Sequence, residues 1–371
     1  MKITKLETFH VKPRWHLLKI STDQGICGWG EPIVEGRART VETAVHELES
    51  ILIGENPIHN EALWTKMYRG TFYRGGPVLT SAISGIDQAL WDIKGKYFNV
   101  PVYEILGGPT RKRVRTYAHC GGNTAEEFIK NAKDKIAQGF DAFKVGIDGP
   151  VEPIPSNEFI ENFSNYIGAI CDGLPKSVHL AIDFHGKVSP PAALKLVKEL
   201  EQYNLMFIEE PVQCENVDVL ATIARSTSTP IATGERLFTR WGFREILEKQ
   251  AAMILQPDIS HCGGITEALK IAAMAETYYA QIAPHNPLGP ISLAAGLHVD
   301  AAIPNFLCQE QVHLGEGYLK NPFLIKDGHI DIPTLPGLGV EVDEDYIKKH
   351  AYPGDWDTPR WNLKDGSFVE W

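Results

Sequence analysis

The chain has 371 residues, of which 43% are hydrophobic and 22% are charged, proportions that are typical of a globular protein. Its formal net charge of −11 and its lack of a basic run argue against a nucleic-acid partner. Residues 1–20 do not follow a signal-peptide pattern, and no apolar stretch is long enough to predict a membrane span. Six cysteines lie far apart in the chain, which favours reduced thiols over a disulfide or zinc framework. We therefore expect a cytoplasmic protein with neither a nucleic-acid nor a membrane partner.

The first part of the chain, residues 1–110, predicts an α+β domain. Three segments alternate between apolar and polar residues like antiparallel strands, at 3–9, 17–22 and 25–30. Apolar-periodic segments follow and predict helices, the first beginning after a cap at Thr40 and the others at 58–68 and 79–98. Strands that precede helices in this way favour a separate domain, which ends near the turn Gly107-Gly108-Pro109.

A repeated unit dominates the rest of the chain. Six short apolar runs are each followed by a charged or titratable residue, at spacings of 23 to 27 by subtraction of the residue numbers: Asp183, Glu209, Glu235, Asp258, His285 and Glu310. Two earlier runs, at 114–118 and 142–146, bring the strand positions to eight. Each spacing accommodates one strand and one crossover helix, and polar residues at the carboxyl ends of strands form the active-site face of a TIM barrel. The sequence therefore predicts an α/β fold, a (β/α)7β-type modified TIM barrel over 111–320 with an N-terminal α+β capping domain.

The remaining residues, 321–371, are expected to return to the capping domain and pack on it. Three tryptophans lie in this segment, Trp356, Trp361 and Trp371, and we interpret them as packing surface rather than as part of a binding site. Large barrels with exposed helices often associate, so a homo-oligomer is also expected.

Three carboxylates, Asp183, Glu209 and Glu235, follow three consecutive predicted barrel strands. Like charges that converge in a partly dry pocket repel one another unless a cation neutralises them. Ligands that are all oxygen select a hard divalent ion, and Mg²⁺ fits best because it is held by few protein ligands together with water or substrate oxygens. The alternative is that these carboxylates form salt bridges with Lys187, Arg236 or Arg240. Strand alternation does not choose between Glu209 and its neighbour Glu210.

Two histidines also follow barrel strands and predict acid–base chemistry. Asp258 and His285 end consecutive strand runs, so the carboxylate could hydrogen-bond one ring nitrogen and raise the basicity of the other. Such a base could remove the proton next to a substrate carboxylate. Asp183 and His185 would share one face of their strand. His185 would then lie beside Asp183 and across the barrel mouth from His285, where it could protonate a leaving hydroxyl. Glu310, if protonated, could hydrogen-bond the developing oxyanion. The plainer alternative for Asp183 is that it caps the following helix.

An ordered set of motifs resembles the mandelate racemase subgroup of the enolase superfamily. They are Asp183-Phe184-His185, Phe207-Ile208-Glu209-Glu210-Pro211, Gly234-Glu235-Arg236, Gln256-Pro257-Asp258, Gly263-Gly264-Ile265-Thr266-Glu267 and Ala283-Pro284-His285. Further segments resemble the acid-sugar dehydratases of that subgroup: Gly28-Trp29-Gly30-Glu31-Pro32, 35–41, 72–76 and 86–95. The resemblance extends over essentially the whole chain.

The resemblance implies roles for the matching residues. Asp183, Glu209 and Glu235 would be Mg²⁺ ligands, which selects Glu209 over Glu210, and His185 and His285 would be the acid–base pair. Asp258 would be the partner of His285, and Glu310 would stabilise the transition state. The implied reaction removes water from an acid sugar to give a 2-keto-3-deoxy acid, with D-galactonate as the first-choice substrate.

One departure from the subgroup bears on the reaction. Its racemases carry Lys-x-Lys at the second barrel strand, whereas Lys144-Val145-Gly146 keeps only the first lysine, and this favours dehydration. Arg14, Trp15, Tyr73 and Lys144 are the predicted substrate contacts, with domain-interface packing as the alternative for the first three. Competing functions are dehydration of another aldonate or uronate, epimerisation at C2, and non-catalytic binding of an acid sugar.

Overall fold

The computed structural model describes residues 1–371. The first domain is an antiparallel sheet followed by helices. Its strands are β1 (Ile3–Val11), β2 (Trp15–Thr22) and β3 (Cys27–Gly30), and its helices are α1 (Ala38–Glu47), α2 (Glu49–Leu52), α3 (Asn60–Arg69), α4 (Pro77–Phe98) and α5 (Val102–Ile105). The three predicted strands and three predicted helices are all present.

The start of α1 differs from its prediction. Thr40 does not cap the helix, because α1 begins at Ala38 and the Thr40 N–H already donates to the carbonyl of Arg37. The apolar stripe of α1 is formed by Ala38, Val41, Ala44 and Val45, all of which are buried. This stripe begins before Thr40, and burying it extends the helix past the residue that resembles a cap.

The second domain is a parallel barrel of β/α units. Its strands are β5 (Ala118–His119), β6 (Ala142–Gly146), β7 (His179–Asp183), β8 (Phe207–Glu209), β9 (Ile231–Thr233), β10 (Ile254–Leu255) and β11 (Gln281–Ile282). The helices that follow them in turn are α6 (Ala125–Ala137), α7 (Asn157–Gly173), α8 (Pro190–Leu200), α9 (Val217–Ala224), α10 (Thr239–Glu248), α11 (Gly264–Glu276) and α12 (Pro290–Ala302), with a short 3₁₀ turn at Glu201–Tyr203. Neighbouring strands pair in chain order, from β5 to β11.

Residues 306–309 occupy the eighth position of the barrel. Phe306 forms a parallel bridge with Ile282 of β11, and Gln309 forms one with Thr116, just before β5. These two bridges close the ring, so the predicted (β/α)7β barrel is confirmed. The predicted first strand, 114–118, is wrong in its extent. Its first part is β4 (Arg113–Arg115), which pairs with an antiparallel strand outside the barrel.

The last part of the chain contains β12 (Ile325–Lys326), β13 (His329–Asp331), α13 (Glu344–Lys349), β14 (Trp361–Asn362) and β15 (Phe368–Val369). Strands β12 and β13 extend the small sheet around β4. The segment then contacts the first domain through an ion pair between Glu344 and Lys19 and a bridge between Ala351 and Val11. Its final residues reach the carboxyl-terminal mouth of the barrel. None of the helices combines the length and apolar character needed to cross a membrane.

Buried hydrogen bonds fix the first domain over the barrel mouth. Glu31, which follows β3, accepts from the backbone N–H groups of Gly289 and Ser292 at the start of α12. Asp87 of α4 accepts from both the backbone and the hydroxyl of Thr266 in α11. Burial raises the pKa of each carboxyl to about 7. These contacts position the hairpin that joins β1 and β2 beside the loop that carries His285.

Candidate active site

A cavity of about 570 Å³ lies between the first domain and the barrel mouth. Residues from several strand ends and from both domains line it, and the predicted site residues among them are Arg14, Lys144, Asp183, His185, Glu235, His285 and Glu310. The convergence follows from the topology, because the carboxyl ends of parallel barrel strands meet at one face.

The three predicted carboxylates form one cluster. One oxygen from each of Asp183, Glu209 and Glu235 lies within 4.8 Å of the others. Burial and the nearby Asp183 raise the pKa of Glu209 to about 8. Burial also raises the pKa of Glu235 well above its ordinary value, with further contributions from the neighbouring carboxylates. Such crowding makes the cluster a favourable place for a cation.

Glu210 turns away from this cluster. Its φ of +42° reverses the backbone after β8, and its carboxylate accepts from Thr233 and pairs with Arg236. The structure therefore distinguishes Glu209 from Glu210, which strand alternation did not.

Lys144 provides one positive charge among these acids. Its Nζ lies 2.9 Å from Glu209 Oε1, 3.1 Å from Glu310 Oε1 and 3.6 Å from Asp183 Oδ2. Burial opposes the ammonium, but Glu209 and Glu310 outweigh that effect and raise the pKa of Lys144 well above normal. This ammonium offsets burial and Asp183 only in part, because the pKa of Glu209 stays raised.

The alternative of salt bridges explains little of the cluster. Arg236 Nε is 3.8 Å from Glu235 Oε1, but its closer partner is Glu210. Arg240 pairs with Glu267, and Lys187 donates to the carbonyl of Gly149. Asp183 does not cap a helix either, because its Oδ1 accepts the N–H of His185 at 2.6 Å.

His285 and Asp258 form the predicted pair. His285 Nδ1 lies 2.8 Å from Asp258 Oδ2, and its Nε2 lies 3.4 Å from Glu235 Oε2. Burial opposes protonation of the ring, but Glu235 and Asp258 outweigh it and raise the pKa of His285 well above normal. The Nδ1 contact fixes the ring and leaves Nε2 as the nitrogen that faces the acidic cluster.

His185 lies on the opposite side of the barrel mouth from His285. It follows β7, whereas His285 follows β11, and three strands separate those two in the sheet. His185 Nδ1 contacts a main-chain oxygen of Trp371, and the two rings meet edge to face at 5.0 Å between centroids. Trp371 also lines the cavity, so the interpretation of this tryptophan as packing surface alone is wrong. No spacing or motif in the sequence could have indicated a contact between residues 186 positions apart.

Glu310 contacts Lys144 and His119. Burial opposes its ionisation, but Lys144 and His119 outweigh burial and hold the pKa of Glu310 well below its usual range. Its Oε1 lies 2.9 Å from His119 Nε2, and its Oε2 accepts the N–H of Asn286. His119 lines the cavity and was missed, although it follows the first barrel strand in the same way as the residues that were found.

The predicted substrate contacts divide into two groups. Lys144 and Arg14 line the cavity, and Arg14 is held by Glu35 at 3.0 Å, by the carbonyl of Pro287 and by the ring of Trp356. Trp15 and Tyr73 do not line it. Trp15 is buried against the core, whereas Tyr73 lies in a surface loop with 81% of its area exposed.

Comparison with known proteins identifies the family. Residues 5–107 match the family described as mandelate racemase / muconate lactonizing enzyme, N-terminal domain, and residues 127–346 match the family described as enolase C-terminal domain-like. The chain belongs to the mandelate racemase subgroup of the enolase superfamily. This confirms the resemblance that the sequence motifs indicated.

Relatives and solved structures of similar length support this placement. The chain is 49% identical to D-galactonate dehydratase of Ralstonia pickettii (strain 12J) and 48% identical to D-galactonate dehydratase of Cronobacter sakazakii (strain ATCC BAA-894), over 100% of each chain. A mandelate racemase/muconate lactonizing enzyme-like protein from Roseovarius sp. TM1035 superposes with a TM-score of 0.92 at 32% identity, covering 99% of both chains. The mandelate racemase/muconate lactonizing enzyme from Sulfitobacter sp. gives a TM-score of 0.91 at 34% identity, covering 96% of both.

Proposed function

We propose that this chain is a Mg²⁺-dependent hydro-lyase that converts an acid sugar, D-galactonate first, to its 2-keto-3-deoxy acid. The observation that carries the proposal is the placement of two imidazoles on opposite sides of one buried carboxylate cluster. A substrate carboxylate held at that cluster would present C2 and C3 between the two rings. The relatives named D-galactonate dehydratase support the same reaction and the choice of substrate.

The carboxylate cluster fits a magnesium ion. Asp183, Glu209 and Glu235 offer oxygen ligands only, and their oxygens lie close enough together to share one ion. Bound Mg²⁺ would supply positive charge that offsets the negative charge developing on the substrate carboxylate. Its charge would also offset that of Glu235, one of the three carboxylates that raise the pKa of His285.

Proton abstraction is assigned to His285. With Asp258 as its Nδ1 partner, the ring presents Nε2 to the substrate and accepts the proton from C2. Lys144 lies between Glu209 and Glu310, where its ammonium can donate to a substrate carboxylate oxygen. The chain has glycine at position 146, so it lacks the second lysine that an opposed lysine–histidine pair would need.

Loss of water is assigned to His185. Once His285 has taken the C2 proton, the electron pair left on the substrate's enediolate forms the C2–C3 double bond, the C3–O bond breaks and His185 Nε2 donates a proton to the departing hydroxyl. Water leaves, and the resulting enol tautomerises to the 2-keto-3-deoxy acid. Arg14 lies on the capping side of the cavity and offers N–H donors to the distal hydroxyls.

A keto-acid assay over a panel of aldonate and uronate diastereomers tests this function. We expect keto product from D-galactonate in the presence of Mg²⁺ and none after chelation. If only a different diastereomer were converted, dehydration would be supported and D-galactonate would be replaced as the substrate. Formation of an epimer that retains every oxygen would contradict dehydration, and stabilisation by an aldonate without turnover would favour a binding protein.

The cytoplasmic location and the homo-oligomeric state remain predictions from the sequence. Gel filtration with light scattering would measure the latter, and a monomer would contradict it.

A further inference from the structure

The loop that follows β7 is held from outside the barrel by the C-terminal hairpin, defined here as residues 361–369. Strands β14 and β15 pair within it, Trp361 opposite Val369. The Trp361 ring lies 5.8 Å from Lys187 Nζ, and the chain then continues to Trp371, which contacts His185. The hairpin and Trp371, which follows it, therefore contact this loop at Lys187 and at His185, on either side of Gly186.

The His185 contact fixes the direction of the imidazole. His185 Nδ1 hydrogen-bonds a main-chain oxygen of Trp371. The Trp371 indole packs edge to face on the His185 imidazole, at an interplanar angle of 88°. Only Nε2 remains for the cavity that His185 lines. The backbone of His185 is left-handed, with φ of +54°, a conformation that is strained for a non-glycine residue and persists only where the surroundings hold it.

The two imidazoles are held by different parts of the molecule. His285 is held by Asp258, which follows a neighbouring strand of the barrel itself. His185 is held by Trp371, which belongs to a segment outside the barrel. A change in that segment should therefore affect one imidazole and leave the other in place.

We propose that Trp371 is a positioning residue that holds His185 for proton delivery to the leaving hydroxyl, an inference that rests on the proposed dehydration. The indole anchors the end of the segment, and the anchored main-chain oxygen orients the imidazole. Without the indole, His185 rotates away from the C3 hydroxyl while His285 continues to remove the C2 proton. Abstraction and elimination then separate, because the intermediate returns to substrate more often than it loses water.

The test compares two rates in D₂O for the wild-type protein and Trp371→Ala with Mg²⁺ and D-galactonate. Proton NMR measures deuterium entering C2 of recovered substrate, and the keto-acid assay measures elimination. We expect elimination to fall by about 10–100-fold, as misplacement of a catalytic group does, while exchange at C2 becomes detectable. Trp371→Phe keeps an aromatic edge and should restore part of the elimination.

Tyr279→Ala is the control, because Tyr279 is an aromatic residue outside this segment and is 86% exposed. It should leave both rates unchanged. Thermal unfolding establishes that each variant is folded. Equal loss of exchange and elimination in folded Trp371→Ala, or no change in either, would overturn the role of Trp371. An inactive wild-type protein on every acid sugar would instead contradict the proposed function.

Discussion

His185 and His285 differ in what holds their Nδ1 atoms, and this difference supports the roles proposed for them. The carboxylate of Asp258 at 2.8 Å favours proton uptake by His285, whereas His185 contacts a main-chain oxygen of Trp371. Strand order places the two rings on opposite sides of the barrel mouth. An enzyme that removes a proton at one carbon and protonates a leaving group at the next requires this arrangement.

Replacement of each histidine by asparagine should separate the two steps. His285→Asn removes the base, so we expect loss of both C2 exchange and keto-acid formation, by about 10²–10⁴-fold for a general base. His185→Asn should retain exchange and lose elimination. His46→Asn, at an exposed position in the capping domain, is the control and should match the wild type. Normal product formation by either active-site variant would refute the assignment.

The carboxylate cluster makes a prediction about magnesium affinity. Loss of a group that only hydrogen-bonds a metal ligand already lowers metal affinity by about 10–100-fold, so Glu209→Gln, which removes a proposed ligand, should lower it by at least that factor. Glu210→Gln is the matched control, because this neighbouring buried carboxylate pairs with Arg236 instead. Isothermal titration calorimetry measures both affinities. Equal Mg²⁺ binding by the two variants would exclude Glu209 as a ligand.

At the scale of elements, the β1–β2 hairpin carries Arg14 to the cavity and contains a buried histidine at its base. His16 of β2 lies opposite His10 of β1, and their rings stack at 4.4 Å between centroids. Burial, together with the neighbouring His10, lowers the pKa of His16 from 6.5 to about 4. His16 Nδ1 donates to the carbonyl of Pro32 at 2.6 Å, so Nδ1 is the protonated nitrogen of the neutral ring.

This histidine should make the fold sensitive to acid. The unfolded chain binds a proton at His16 below pH 6.5, whereas the folded chain does so only near pH 4. The stabilising contribution of the neutral ring is therefore complete above pH 6.5 and is lost as the pH falls toward 4.

Between pH 7 and pH 5 the His16 contribution to the free energy of unfolding should fall by about 2 kcal/mol. Urea unfolding at both pH values gives the free energy of unfolding of the wild type and of His16→Met. The loss of free energy between pH 7 and pH 5 should be larger in the wild type, and the difference between the two losses is the His16 contribution. His59→Met, which replaces an exposed histidine, should keep the wild-type dependence. If His16→Met also kept it, His16 would not be the group that titrates.

The barrel elements could be predicted because their signals are local. Apolar runs that end in Asp183, Glu209 or His285 recur at a spacing that fits one β/α unit, and each run is a strand. The eighth position was located correctly, although residues 306–309 join the ring through single bridges rather than a ladder. The beginning of α1 and the split of 114–118 were not predicted, because tertiary packing decides both.

Most of the predicted residues that line the cavity lie at the ends of barrel strands, and Arg14 of the β1–β2 turn is the exception. Trp371 reaches His185 through a hairpin far along the chain, and nothing in the intervening sequence encodes that contact. The ionised state of Glu310 depends on a Lys144 ammonium 3.1 Å away, a distance that no motif contains. The geometry of a loop, which no motif predicts, places Tyr73 on the surface rather than in the cavity.

At the scale of the whole molecule, the site is assembled from both domains and from the end of the chain. Glu31 and Asp87 join the capping domain to α12 and α11 through buried hydrogen bonds. Arg14 lines the cavity from the side of the capping domain. The barrel provides the proposed acid–base and metal-binding residues, whereas the cap and the C-terminal segment line the rest of the cavity.

Magnesium should stabilise the assembled molecule. An ion that binds only the folded chain at one hundred times its Kd adds about 2.7 kcal/mol to the free energy of unfolding. We expect the thermal midpoint to rise with Mg²⁺ in the wild type and in Glu210→Gln, and to change little in Glu209→Gln. A rise of equal size in all three would place the ion elsewhere.

The most direct test of the central claim, that two opposed imidazoles dehydrate an acid sugar at this acidic cluster, is a proton NMR time course of D-galactonate with the wild-type protein and Mg²⁺ in D₂O. The account predicts loss of the C2 proton signal and growth of a 2-keto-3-deoxy product that carries deuterium at C3. Unchanged substrate, or exchange at C2 with every oxygen retained, would contradict it.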